Sequence, residues 1–108
     1  MEGLDKPIMV DTFNILGQLY YDINIDVEPM DGGYKWEQVQ LTKEKWNYGG
    51  IVDALIQHKY PIDKMQAVIN NYLLDPNDAY AIEEFNKMQA WRKEAKEIAK
   101  QALEYELH

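Results

Sequence analysis

The sequence predicts an α+β domain, with an N-terminal antiparallel β-hairpin or small meander followed by three helices, the last one long. Three observations carry that prediction. Apolar residues recur at every second position from Phe13 to Val27, and a cluster of turn residues, Pro29 to Gly33, follows. Prolines at 61 and 76 divide the second half into segments of helical spacing. After Pro76 no Gly or Pro interrupts the chain.

The strands come first. Phe13, Ile15, Gly17, Leu19, Tyr21, Ile23, Ile25 and Val27 alternate, and between Asp22 and Glu28 the intervening residues are all Asp, Asn or Glu. One face is therefore apolar and the other acidic. A helical template also fits Phe13, Leu16, Tyr20, Ile23 and Val27. The β-branched and Asp/Asn content from Asp22 onward favours a strand there, because such residues lose rotamer freedom or compete with the backbone in a helix. We expect strand from Gln18 to Glu28 and also over Thr12 to Leu16. Asp-Gly and Gly-Gly at 31–33 tolerate positive φ and form the turn. A second strand then runs from Tyr34 to Leu41, with Tyr34 and Trp36 on one face and Val39 and Leu41 on the other. A bulge, or cover on both faces, would account for that distribution. An isolated hairpin is marginal in water, so it is expected to pack on the helices.

The helices follow. Asn47 suits an N-cap for a helix to about Lys59, with Val52, Leu55, Ile56 and Lys59 on one stripe. Gly49 and Gly50 in its first turn each cost roughly 1 kcal/mol relative to Ala, so a close neighbour is expected against them. Pro61 ends that helix and opens the next, to Leu74. For the third, Asp75 suits an N-cap, Pro76 the first helical position, and Asp78 adds negative charge where the dipole favours it. At 108 residues the chain fits one domain, β-rich over 8–41 and helical over 43–105, that buries roughly 65% of its unfolded surface.

On the last helix, Ala81, Phe85, Met88, Trp91, Ala95, Ile98, Ala99 and Ala102 form one apolar stripe. A helix of about 30 residues spans about 45 Å, longer than a domain of this size is wide. Part of the stripe is expected to project and to meet a protein partner or a second copy, through Met88, Trp91, Ala95, Ile98 and Ala102. Arg92, Lys93, Lys96 and Lys100 lie beside it and read as a solvated face, or as one docked on the acidic face of the hairpin. Glu83–Lys87, Lys93–Glu97 and Lys100–Glu104 have four-residue ion-pair spacing.

The chemistry-bearing residues are sparse. No Cys and no Ser are present, and no GxSxG, P-loop or GxGxxG occurs. With two His and no Cys, a zinc site is disfavoured. His58 falls in the last turn of its helix, where a cation suits the dipole, and His108 is terminal. Asp22, Asp26, Glu28 and Asp31 read as a solvated acidic strand face. Asp75 to Asp78 lacks the calcium-loop pattern, since Ala79, Tyr80 and Asn86 stand where ligands and the required Gly belong. We therefore expect a non-enzymatic protein without metal or cofactor. Eight Tyr and three Trp leave an alternative: a small-molecule binding domain using Tyr34, Trp36, Trp46 and Tyr48.

Net charge is −8, with eight acids against two lysines in residues 1–42. Such a domain repels a phosphate backbone, so nucleic acid is not an expected partner. MEGLDKPIMV lacks the basic and apolar regions of a signal peptide. The longest uncharged stretches, 12–21 and 65–74, are about half a membrane span. With no cysteine, these features suggest a soluble protein of a reducing compartment, the cytoplasm.

The segment NYGGIVDALIQHKYPIDKMQAVINNYLLDP with the later MQAWRKEAKEIAK, within residues 47–100, resembles small uncharacterised proteins of phage and prophage regions in gut bacteria. The resemblance implies an accessory or structural role and supplies no site residues.

Overall fold

The structure, a computed structural model, describes residues 1–105; the expectation concerning His108 lies outside them. Four antiparallel strands precede three helices. The strands are β1 (Glu2–Gly3), β2 (Val10–Ile15), β3 (Gln18–Met30) and β4 (Gly33–Thr42), in the spatial order β1-β4-β3-β2. A short 3₁₀ turn (Lys43–Lys45) leads to α1 (Tyr48–Lys59), α2 (Ile62–Leu74) and α3 (Ala79–Glu104). The mixed α+β class, with a last long helix, matches the sequence prediction, and β2, β3 and β4 form the meander.

Two backbone devices break the simple alternation of the strands. The run from Phe13 to Val27 is not continuous, because Leu16 (φ 51°) and Gly17 (φ 85°) form a two-residue turn between the paired Ile15 and Gln18. Positive φ at both central positions is the signature of a type I′ hairpin turn. Further on, the register steps from Ile25↔Glu37 to Glu28↔Lys35, so that Asp26 and Val27 together oppose Trp36. Asp26 has φ 53° and is the bulged residue. The irregularity lies in β3 and leaves β4 regular, with Val39 and Leu41 buried and Tyr34, Trp36, Gln38 and Gln40 on the opposite face. The bulge also explains why the acidic face is incomplete: Asp26 swings to the helix side and meets Lys59 Nζ at 2.7 Å.

Helices cover only the middle of the sheet. Val10, Ile23, Ile25, Val39 and Leu41 form one core with Ile51 and Leu55 of α1, Val68 of α2, and Met88, Trp91, Ala95, Ala99 and Ala102 of α3. Both ends of the meander run past this core, and the molecule measures 50 × 37 × 24 Å. Its radius of gyration of 16.3 Å exceeds the roughly 13 Å of a compact domain of about 100 residues.

The helix boundaries are chemical. The Asn47 side chain accepts from the Gly50 amide at 2.8 Å and caps α1. On this helix Ile51 and Leu55 are the buried pair, flanked by half-buried Val52, Ile56 and Lys59. Of the two glycines, only Gly50 is crowded: a Cβ there would lie 2.2 Å from the Lys45 carbonyl oxygen, whereas one on Gly49 would meet only Asn47 Oδ1, at 3.7 Å. Pro61 sits at the N-cap position of α2. The cap of α3 is Asp78, not Asp75, and Pro76 lies in the turn before the helix. Asp78 Oδ1 takes the amides of Tyr80 and Ala81 at 2.8 and 3.0 Å, while the Asp75 carboxylate binds the Asn77 amide within the turn.

The expectation that part of the α3 stripe projects is overturned. The buried positions of α3 run from Ala81 to Ala102, almost its full length, against the domain's own core. Three alanines, 95, 99 and 102, are each at most 2% exposed and let neighbouring elements come close. Tyr72 of α2 stacks on Phe85 at 4.3 Å, and Trp91 Nε1 donates to the Leu55 carbonyl of α1 at 2.9 Å. Of the predicted ion pairs on this helix, Glu83–Lys87 forms at 3.2 Å, and Lys87 also reaches Glu84. Lys100 turns to Glu97 at 4.0 Å instead of Glu104.

Candidate functional site

The predicted interaction residues form one site, but an internal one. Met88, Trp91, Ala95 and Ala102 are buried in the core and Ile98 is half-buried against it. Their side chains hold α3 to α1 and the sheet, so the four buried ones offer no free contact surface and Ile98 only part of its side chain. The error has a physical origin: helical periodicity identifies the apolar face and does not say what covers it.

The predicted aromatic cluster does not converge. Tyr34 and Trp36 lie on the outer face of β4, and a Cβ on Gly3 would come within 3.0 Å of the Trp36 ring. Trp46 follows the 3₁₀ turn and stacks at 4.3 Å on Tyr21, whose strand partner Leu41 faces the helices. Tyr48, at the first turn of α1, is exposed. Trp36 Nε1 is buried and has no hydrogen-bond partner among the described residues. Among the described residues no group of three or more His, Cys, Asp or Glu is arranged to hold a metal ion. None of their helices is long and apolar enough to cross a membrane.

What the fold does expose is the tip of the β2–β3 hairpin. Ile15 is half exposed and Leu16 wholly so. Leu16 also occupies the left-handed region, which costs an L-residue with a bulky side chain about 1–2 kcal/mol. Asn or Gly is the usual occupant of that turn position. Behind the tip, Phe13 and Tyr20 stack across the strands at 5.4 Å and stiffen the ribbon. Exposed leucines are ordinary on protein surfaces, and Leu4 and the adjacent Leu73 and Leu74 are further cases, without positive φ. Leu16 differs because exposure and backbone strain coincide there. The signal was present in the sequence as Leu16-Gly17 within the alternation, but a leucine does not announce a turn.

The second exposed feature is a groove of about 810 Å³ between β4 and α1. Gln38 to Thr42 form one wall, Gly49, Gly50, Asp53, Ala54, Gln57 and His58 the other, and Lys45 of the 3₁₀ turn also lines it. Above it, an electrostatic tie fastens the bulge to the helices: Lys59 pairs with Asp26 and lies over the Trp91 ring at 4.0 Å. His58 Nε2 approaches Glu37 Oε1 at 3.1 Å, so His58 serves a cross-element contact as well as its helix end. Partial burial pushes the Asp26 carboxyl up, but hydrogen bonds from Lys59 and with Glu37, and the Lys59 and His58 charges, bring it below the ordinary 3.8. Asp22 moves the other way. Burial on the outer sheet face raises it, a hydrogen bond from Gln40 opposes, and the neighbouring Asp11 adds to the rise.

No known protein family, curated protein or solved structure matches this chain.

Proposed function

We propose that this chain is a non-enzymatic interaction or accessory protein that engages a protein partner through the tip of its β2–β3 hairpin. One observation carries the reading: Leu16 bears both the hydration cost of a fully exposed leucine and the strain of positive φ. Nothing among the described residues repays either cost, and strain of this kind is commonly retained at recognition sites. A partner pocket that takes Ile15 and Leu16 repays the first. Apolar, rigid and projecting, the hairpin has the form of a finger that inserts into a hydrophobic pocket. The tip residues Asn14 to Leu19 carry no charge, which suits desolvation in such a pocket.

The test replaces Leu16 with a photo-crosslinking amino acid in cells that express the protein, with the exposed Asn86 as control position. A discrete protein adduct at 16 and not at 86 is the expected result. Equal, diffuse labelling at both positions refutes the hairpin as the contact.

The small-molecule reading loses the convergence it required, because Trp36 and Trp46 lie on opposite sides of the sheet.

A further inference from the structure

Behind the tip, the outer edge of β2 is a second recognition element. Among the described strands β2 ends the sheet and pairs only with β3. The chain runs on from both of its ends, through residues 4–9 and through the Leu16-Gly17 turn, so no chain terminus defines this edge. The Asn24 amide donates to the Met9 carbonyl at 2.9 Å, which fixes the phase of the ladder. Odd-numbered residues of β2 therefore bond toward β3, and the N–H and C=O of Thr12 and Asn14 point away from the sheet. From Asp11 to Ile15 only Phe13 is half-buried, and the other four residues are exposed. No Pro, Lys or bulge, the devices that ordinarily blunt an exposed edge, occurs in this stretch.

The charge pattern selects an occupant. Asp11 stands directly opposite Asp22 on the outer face, where like charges destabilise a strand pair. Neither forms an ion pair among the described residues. Asp22 is 7% exposed, whereas Asp11 is open to solvent. The Asp11 carboxylate also leans to the open edge, because its Oδ1 accepts from the outward-pointing Thr12 amide at 2.9 Å. A cation on a strand added beside Asp11 offsets both charges and draws that oxygen off the amide, which then joins the new ladder. Next along the same face come Phe13, stacked on Tyr20, and the half-exposed Ile15.

We infer that β2 takes an extended segment of another protein as an added antiparallel strand, with Lys or Arg opposite Asp11 and apolar side chains opposite Phe13 and Ile15. These positions are two residues apart, so the segment reads apolar-x-apolar-x-basic from its N-terminus. The ladder to Thr12 and Asn14 supplies bonds that any extended chain can complete, and the outer-face side chains supply the selection. Antiparallel addition continues the meander and is the slightly stronger pairing per residue. A second copy fits less well, since β2 holds no Lys or Arg to meet Asp11 and the copy brings another −8.

The probe is the acetylated, amidated heptapeptide Thr-Val-Thr-Val-Thr-Lys-Thr, titrated into the isotopically labelled protein and followed by amide chemical shifts. Saturable shifts from Asp11 to Ile15 are expected. N-methylation of the two inner threonines, which lie opposite Thr12 and Asn14, should weaken binding at least tenfold, as should glutamate in place of the peptide lysine. In the protein, Asp11→Asn should weaken it about fivefold, the upper end for one cross-strand charge pair. Thr12→Pro removes only an outward-facing amide, spares the β3 ladder and should abolish half of the new one. Should Thr12→Pro fail to fold, the N-methylated peptide makes the same test on the unaltered protein. Equal binding of the N-methylated or the glutamate peptide, shifts confined to β4, absence of binding up to millimolar peptide, or self-pairing of β2 instead would each overturn the inference. None of these outcomes bears on crosslinking at Leu16.

Discussion

Adjacent glycines at the start of α1 should respond to alanine with opposite signs. In a helix, Gly→Ala gains about 0.5–1 kcal/mol from backbone entropy. At Gly49 nothing opposes that gain, since the new methyl meets only Asn47 Oδ1 at 3.7 Å. Gly49→Ala should therefore stabilise by about 0.5–1 kcal/mol. At Gly50 the methyl would stand 2.2 Å from the Lys45 carbonyl oxygen, 3.0 Å from its carbon and 3.3 Å from its Cα. These are backbone atoms and cannot swing aside. That oxygen also accepts from the Asn47 amide at 2.9 Å, so moving it disturbs the residue that caps the helix. Overpacking costs about 1–3 kcal/mol and a weakened cap about 0.5–2 kcal/mol, which together outweigh the propensity gain. Gly50→Ala should lose about 1–3 kcal/mol net. For a chain of this length 1 kcal/mol corresponds to roughly 4 °C in Tm, so thermal unfolding should show a rise of about 2–4 °C for Gly49→Ala and a fall of about 4–12 °C for Gly50→Ala. Shifts of the same sign would refute the close approach of the 3₁₀ turn to α1.

Further expectations concern the core, the turn and the acids. Met88 is fully buried, so Met88→Ala should cost about 2–5 kcal/mol in urea unfolding and leave the oligomeric state unaltered; dissociation of an oligomer with intact stability would restore α3 as an interface. Leu16→Asn places a residue suited to positive φ in the hairpin turn and should stabilise by about 1 kcal/mol; an unchanged or lower Tm would remove the strain on which the functional reading rests. Asp26 titrates below its ordinary value, so the stability it contributes is present above 3.8 and is lost as pH falls through its lower folded value. Asp26→Asn should accordingly be less stable than the parent near neutrality, with the gap closing in acid. Asp22 is raised, so its ionisation opposes folding once the pH exceeds 3.8; Asp22→Asn should be the more stable protein at pH 7 and lose that advantage in acid. In unfolding curves across pH, a gain in stability at pH 7 for Asp26→Asn would contradict the first expectation, and a loss for Asp22→Asn the second.

Much of the fold was legible in the sequence because its signals are local. Alternation marked β3 and β4, and Pro61 and Pro76 marked the helix joints. Asn47 marked the start of α1 through the hydrogen bond its side chain makes three residues on. Where two local solutions competed, the sequence was less decisive. Asp75 and Asp78 are both capable caps, and only the turn geometry selects Asp78. The I′ turn at Leu16-Gly17 and the bulge at Asp26 place non-glycine residues at positive φ, against their propensities, so pattern alone passes over them. β1 has two residues and no periodicity to read. The candidate site was the least legible part. The α3 stripe was correctly seen as apolar but becomes core, while the β4 groove depends on how far β1 extends and where α1 crosses, neither of which is written in any one segment.

Crosslinking from position 16 decides whether the hairpin tip contacts another protein. A hairpin that seats in a partner gives a single adduct from residue 16 that is absent from residue 86, and that competition with unmodified protein abolishes while an excess of Leu16→Asn does not. An adduct that persists when the tip is competed away, or the absence of any adduct specific to 16, would contradict it.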